Sequence, residues 1–456
     1  MKKLMKLFLP YVVLIIFLTL VSFAARFLIS EIPELSNDVD FQIFILGSLL
    51  FIGYYINRIA PRTVIPSFVW AIFAGMAMQP LLSFFIHEVA ALKILMEVFA
   101  AIILFAGGLE VPFRNFQKWF FPIASLSFFG VVISAITFSF ALTYILTFFN
   151  GFDVLLIPSI IVLSAALAST DPTAIIPTMK TMRFKRTFLK QIAISESALT
   201  DISGSILTQF LLIAFLSVTL TFDSPIFEYF LPLLKKPTYD AFALQIISGI
   251  LIGYLGYQLV KRFYSHSEDA GQENGNDPAL LLSVPIFTFV LGNILAGAGF
   301  LAAFISGLLV DVSGSLRRVT AFYDSFLNHL IKPFIFIVLG ALVPLSTLIE
   351  LLPIGVVTAL IFMFLIRPFV VFTSLLPWFI KSEFHLRDLI FLSFIRETGI
   401  IAAILIVITS TYDIINSEFI IAVGMWVILL TLILQPPLTP YFAELIGVAE
   451  RKKNKS

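Results

Sequence analysis

Two short polar stretches interrupt a long apolar chain, and both carry residue types able to handle a cation or a proton. One is Ser169-Thr170-Asp171-Pro172; the other, about one helix later, is Glu196-Ser197-Ala198-Leu199-Thr200-Asp201. Both lie in segments apolar enough to cross a bilayer, where a carboxylate costs about 3 kcal/mol or more unless it is paired or hydrated. Three acidic residues and a proline so arranged point to a transporter.

Proline lacks an amide donor and suits the first turn of a helix, with Asp or Thr as the cap before it. Thr170-Asp171-Pro172 is therefore a helix-start signal set inside a span, and it predicts a break near Ser169 with a restart at Pro172. Broken backbone at membrane depth is tolerated only where it is buried in protein or lines a cavity, and it marks substrate sites in secondary transporters. Asp171 would also offset the positive end of the restarting half-helix. A plain proline kink is the alternative.

In the next span, residues four apart share a helix face, whereas residues five apart diverge by roughly 140°. Glu196 thus lies over Thr200, and Ser197 over Asp201, on two different faces. One face can hold a structural ion pair while the other meets the mobile ion. Asp201 stands about eleven residues beyond Lys190, near the midplane, and Glu196 lies about five residues nearer the cytoplasm. Glu196 is read as a structural charge and Asp201 as the ion-facing one.

Arg367 sits deep in an apolar run beside Pro368 with no local acid, so it needs a counter-ion from another helix or must snorkel toward Lys381. Its depth suits Glu196. Arg396-Glu397-Thr398-Gly399, again near mid-depth, suggests a second break; an ordinary helix with a local Arg–Glu pair is the alternative. Glu97 is a lesser candidate for a cavity, and Glu110 is read as interfacial. Asp311, Asp324 and His329 lie near cytoplasmic ends and are expected to be solvated.

The elements that must position these residues follow from composition. The chain has 456 residues, 59% of them hydrophobic and 12% charged, with 51 phenylalanines and a mean hydropathy of +1.04. Such values belong to a polytopic all-α membrane protein. The net charge of +1 argues against a nucleic-acid partner, and the absence of cysteine excludes disulfides and thiolate metal sites. No cofactor is expected.

Apolar runs of roughly 17–25 residues give about fourteen spans, near 7–29, 40–57, 64–84, 90–109, 119–148, 154–179, 190–220, 240–261, 279–296, 298–311, 319–344, 352–378, 386–410 and 418–445. The sixth and thirteenth hold the expected breaks and run in opposite directions, as inverted repeats would set them. Residues 1–35 form an extra N-terminal helix, retained rather than cleaved as a signal peptide. Residues 36–447 form one membrane domain and 448–456 a short cytoplasmic tail. Basic residues such as Arg58, Lys118, Lys185, Arg186, Lys261 and Arg317 fall in alternate loops, whereas Glu31, Asp40, Asp153 and Glu350 fall in the others. Both termini are then cytoplasmic in a multi-pass cell-membrane protein. Ser265–Asp277 reads as the one disordered loop. Ala296-Gly297-Ala298-Gly299 with Gly307 would allow close helix packing.

At these residues the chain resembles the monovalent cation:proton antiporter superfamily, sodium/proton exchangers among them, from about residue 40 to 447. Members carry a Thr-Asp-Pro break, matched by Thr170-Asp171-Pro172. The next core helix reads Glu-Ser-x-x-Asn-Asp in an electroneutral branch and Asp-Asp in an electrogenic one. Glu196-Ser197-x-x-Thr200-Asp201 is similar to the first form, with Thr200 in place of Asn. A late Arg-Pro is matched by Arg367-Pro368, and the resemblance implies that Arg367 pairs with Glu196. The second broken helix usually reads Leu-Arg-Gly-Ala, whereas here it is Ile395-Arg396-Glu397-Thr398, which leaves the role of Glu397 open.

The resemblance implies a homodimer whose mobile core carries the ion by an elevator-like movement, exchanging Na⁺, or Li⁺ or K⁺, for H⁺. A carboxylate in a partly dehydrated cavity takes up protons more readily, so protons and cations compete for it. A hard cation prefers oxygen ligands, which Asp201, Ser197, Asp171 and the carbonyl of Thr170 can supply, with Thr200 beside them. With a neutral Thr200, one H⁺ per cation is the simplest stoichiometry. An organic-anion transporter on a similar crossed-helix fold would want fewer core acids. A passive cation channel would lack proton coupling, and no catalytic motif accompanies the aspartates to suggest an intramembrane enzyme.

Overall fold

A computed structural model describes residues 2–31, 39–59, 66–87, 89–111, 117–149, 153–171, 175–176, 178–179, 181–217, 226–234, 236–269, 278–310, 317–342 and 344–451. The described residues are helical almost throughout, because at membrane depth only a helix satisfies its own backbone. The main helices are α1 (Lys2–Glu31), α2 (Val39–Ile59), α3 (Ser67–His87), α4 (Val89–Glu110), α5 (Phe120–Phe148), α6 (Ile157–Ala166), α7 (Thr187–Ser217), α8 (Lys236–Asp269) and α9 (Pro278–Ala296). They continue with α10 (Gly299–Leu308), α11 (317–341), α12 (Leu352–Ile380), α13 (Leu386–Phe394), α14 (Ile400–Thr409) and α15 (Ser417–Leu445). Among the described residues ten helices are long and apolar enough to cross a membrane, and four shorter apolar ones accompany them.

The helices pack as two groups. α1–α4 and α8–α11 contact mainly one another, as do α5–α7 and α12–α15. The groups meet through α14, which touches α4 and α11, and through α7, which touches α4 and α10. Close approach inside the first group depends on missing side chains. A Cβ on Gly307 of α10 would stand 2.0 Å from the Phe105 carbonyl of α4, and one on Gly108 of α4 would stand 2.4 Å from the Phe304 carbonyl of α10. The expected small-residue packing at Gly307 thus has a partner on α4. α1 is held on α3 by stacking of Tyr11 on Trp70, with ring centroids 4.1 Å apart.

In the second group one succession occurs twice: a long helix with a π turn, a short helix ending in a break, and a long buried helix. In the first instance α5 contains the π turn Ser125–Phe129, α6 ends at Ala166 and α7 follows. In the second, α12 contains Phe362–Ile366, α13 ends at Phe394, and α14 and α15 follow. A third π turn, Leu327–Ile331, lies in α11. Lys332-Pro333 follows one of these turns and Arg367-Pro368 another. Proline has no amide to donate, and its ring crowds the carbonyl four residues back, so the helix widens locally.

Two local differences from expectation stand out. The helix α8 runs on to Asp269, so Ser265–Asp269 are helical and not disordered. No Gly or Pro stops propagation before Gly271, and residues 270–277 lie outside the described ones. The segment after α15 is not merely a tail: Ala449–Arg451 pairs antiparallel with Met182–Phe184, with Arg183 opposite Glu450. Arg186 bonds Asp388 beside this ribbon, which ties the loop before α7 to the start of α13.

Candidate functional site

The site is built where the two breaks meet. α6 ends at Ala166, and residues 169–171 are not helical, so span six is interrupted rather than kinked. Pro172, the expected restart, lies outside the described residues, which resume as helix at 175–176. Likewise residues 395–399 leave the helix between α13 and α14, so Arg396 and Glu397 do not form a local pair on a continuous helix.

Each break satisfies the other. The backbone amide of Asp171 donates to the Glu397 carbonyl at 2.8 Å. The Asp171 carboxylate accepts from the Ile400 amide at 3.3 Å, which puts a negative charge on the first turn of α14. In return, Arg396 donates to the carbonyls of Leu167 (3.1 Å) and Ala168 (2.8 Å), just past the end of α6. A cation there offsets the negative end of that helix. The same guanidinium reaches Ser134 of α5 at 3.3 Å and lies 4.6 Å over the Phe362 ring. Gln435 of α15 donates to the Phe394 carbonyl at 2.8 Å and so finishes α13. Orphan groups that would each cost about 1–3 kcal/mol when buried are thereby paired.

The helix α7 delivers its two acids to different neighbours, as the 3.6-residue period requires. Glu196 faces α12, where Arg367 donates from Nη1 to Oε1 and from Nη2 to Oε2, both at 3.0 Å. Both side chains are almost wholly buried, so Arg367 is paired and does not snorkel. Arg367 follows directly on the π turn Phe362–Ile366. Ser127, from the π turn of α5, donates to the Glu196 carbonyl at 3.3 Å, and Ser203 donates back to the Ser127 carbonyl.

Asp201 faces the first break. Its carboxyl lies beside Ser169 and feels the charge of Asp171. Asp171 and Asp201 are 7% and 5% exposed, low enough to strip most water yet not sealed. Thr200 accepts from the Thr170 amide (3.1 Å), shares a 2.7 Å bond with the Thr170 hydroxyl and donates to the Ser197 carbonyl (2.8 Å). A hydroxyl has one donor and two acceptor positions, so Thr200 is fully used in bracing the break. The Ser197 hydroxyl, by contrast, has no partner among the described residues.

The remaining candidates fall outside this cluster. Glu97 is half-buried one turn after Lys93, whose Nζ donates to the Tyr412 hydroxyl at 2.9 Å. Glu110 is half-buried at the end of α4, Asp324 and His329 are exposed, and Asp311 lies outside the described residues. Among the buried polar residues that the sequence reading passed over, Lys332 of α11 donates to Asn328 at 2.8 Å and lies within electrostatic reach of Asp171. Gln435 is another. The signals were present: Lys332-Pro333 repeats the form of Arg367-Pro368, and Gln435 stands alone in an apolar helix.

The chain and its fold have counterparts among known proteins. Residues 45–444 match the family model described as sodium/hydrogen exchanger, transmembrane. The chain belongs to this family. Its fold is that of the sodium proton antiporter MjNhaP1 from Methanocaldococcus jannaschii, with a TM-score of 0.70 at 21% identity over 89% of this chain and 98% of that one. Among relatives in the exchanger family, the K⁺/H⁺ antiporter NhaP2 of Shewanella sp. (strain ANA-3) is 25% identical over 74% of this chain and 54% of its own length. The low-affinity Na⁺/H⁺ antiporter NhaS1 of Synechocystis sp. is 23% identical over 56% of this chain and 45% of its own. The chain thus spans about half the length of the curated relatives it matches.

Proposed function

We propose that this protein exchanges a monovalent alkali cation for protons across the cell membrane by alternating occupancy of one carboxylate site at the helix crossing. The observation that carries this reading is the meeting of Asp201 with Asp171 and Ser169 at the first break, beside a Glu196–Arg367 pair that is already neutralised. The names of the relatives, which include both Na⁺/H⁺ and K⁺/H⁺ antiporters, support it.

In this reading Asp201 is the exchanged charge, Asp171 and Ser197 are the further ligands with the Thr170 carbonyl, and Thr200 holds the break in shape. Glu196 and Arg367 hold α7 against α12, and Arg396 keeps the two breaks in register. Asp201 crosses only when a cation or a proton neutralises it, because a bare carboxylate is too costly in the low-dielectric passage. One cation or one proton cancels one charge, which makes the exchange electroneutral. Helices α5–α7 and α12–α15 are the moving carrier and the other group the scaffold, through which two copies pair. Residues 1–35 add an outer helix, residues 36–447 form the exchanger domain, and both termini lie in the cytoplasm, as the basic loops favour.

A second reading, a passive cation channel, is separated by proton coupling. Purified protein in proteoliposomes carrying an internal pH dye is expected to move protons when Na⁺, Li⁺ or K⁺ is added outside. Cation uptake with no proton movement would instead identify a channel.

A further inference from the structure

Glu397 is used by nothing described so far. Its backbone carbonyl holds Asp171, yet the side chain is 1% exposed and neither carboxyl oxygen has a hydrogen-bonding partner among the described residues. The neighbouring Thr398 hydroxyl also lacks one. The carboxyl lies within electrostatic reach of Asp171, whose amide the Glu397 carbonyl holds at 2.8 Å. An ionised carboxylate so buried is strongly disfavoured unless a cation faces it.

The charges of the dry core make the same point. Setting aside Asp388, which bonds Arg186 at the rim, the buried acids among the described residues are Asp171, Glu196, Asp201 and Glu397. The buried bases among them are Lys332, Arg367 and Arg396. Four acids against three bases leave one negative charge, the charge that one monovalent cation would balance. Lys332 also faces Glu110 and Asp324, which deepens the shortfall at the crossing. No three acidic, His or Cys side chains among the described residues converge as a metal cage. Asp171, Asp201 and Glu397 therefore form no ready-made three-carboxylate cage, and an ion met by Glu397 would take hydroxyl and carbonyl oxygens for the rest of its shell.

We infer that Glu397, with the Thr398 hydroxyl, is a cation-contacting residue of the carrier site, supplied by the second break opposite Asp171. This rests on the exchanger reading above and adds to it a ligand from the other half of the fold. It also gives a physical sense to the departure of the second break from the motif that it otherwise resembles.

The test is cation-dependent thermal stabilisation of the full-length protein in detergent, at one fixed pH and with ionic strength held constant by choline chloride. A ligand that binds only the folded state raises the melting temperature in proportion to its occupancy. Wild-type protein is expected to gain stability with NaCl or LiCl, and Asp201→Asn to lose that gain. Glu397→Gln is expected to melt no lower than wild type without the ion, because it removes an uncompensated buried charge, while needing at least fivefold more cation for half of the stabilisation. A merely structural Glu397 would lower the ion-free melting temperature and leave the cation requirement alone. A cation requirement raised less than fivefold overturns the assignment while leaving the exchanger reading intact, provided Asp201→Asn has lost its response. If wild type shows no response to any alkali cation, both fail together. Should Glu397→Gln not fold, Glu397→Asp carries the test: it keeps the charge but withdraws the oxygens by one methylene. Its expected result is an altered order of Na⁺, Li⁺ and K⁺ affinities, and an unchanged order overturns the inference.

Discussion

Gly399 and Asp171 touch so closely that no side chain fits between them: a Cβ on Gly399 would stand 2.0 Å from Oδ2 of Asp171 and 2.1 Å from its Cβ. Asp171 cannot retreat, since its amide is bonded to the Glu397 carbonyl and its carboxylate to the Ile400 amide. The two interrupted helices are therefore locked at one point by a missing methyl group.

Gly399→Ala is accordingly expected to damage the crossing itself. Overpacking of this kind costs about 1–3 kcal/mol, and here it displaces the carboxylate that caps α14. A lowered melting temperature in detergent together with loss of cation-driven proton flux is the expected result. Wild-type flux in this variant would show that Asp171 need not hold its position.

The Glu196–Arg367 pair supports a double-mutant cycle. Breaking a buried pair by removing one partner costs about 3–5 kcal/mol, because the other charge is stranded, whereas removing both costs much less. Glu196→Gln and Arg367→Gln are each expected to lower the melting temperature, and the double variant to recover part of the loss. A double variant as unstable as the sum of the singles would contradict the pairing.

These sites were legible in the sequence to unequal degrees, and the reasons are physical. Membrane spans are written in composition, and the breaks in local grammar, as at Thr170-Asp171-Pro172 and Thr398-Gly399. The separate faces of Glu196 and Asp201 follow from helical period alone. What closes the site is not local. Arg396 meets the Leu167 carbonyl across 229 residues of chain, and no periodicity predicts which orphan carbonyls a buried guanidinium will choose. The π turns likewise answer to packing and, in α11 and α12, to a following proline, and they have no period of their own to read. Strands of three residues, such as Ala449–Arg451, are too short to carry an alternation and form only because the loop before α7 lies alongside.

Thr200 separates bracing from charge. Thr200→Val keeps the shape but strands the buried Thr170 amide, a loss of about 1–3 kcal/mol, and is expected to lower stability and slow exchange. Thr200→Asp adds a carboxylate beside Asp201. With the membrane potential clamped, wild-type exchange is expected to ignore the imposed voltage and Thr200→Asp to gain sensitivity to it. Voltage-dependent exchange by the wild type would refute the one-for-one stoichiometry.

Arg396→Lys tests the cross-cap between the breaks. Lysine keeps the charge but lacks the planar guanidinium that stacks on Phe362 while its Nη2 reaches both carbonyls. Reduced flux and stability are expected, with little change in either if the guanidinium only balances charge.

The central claim is that Asp201 carries the exchanged charge, and one substitution addresses it most directly. Asp201→Asn removes the charge from a buried position without changing the size of the side chain, so the protein is expected to insert, fold and elute as wild type. Reconstituted in proteoliposomes with an internal pH dye, it is expected to show no proton movement when Na⁺, Li⁺ or K⁺ is added, under conditions in which wild type responds to at least one. Cation-driven proton flux at the wild-type rate in Asp201→Asn would contradict the account.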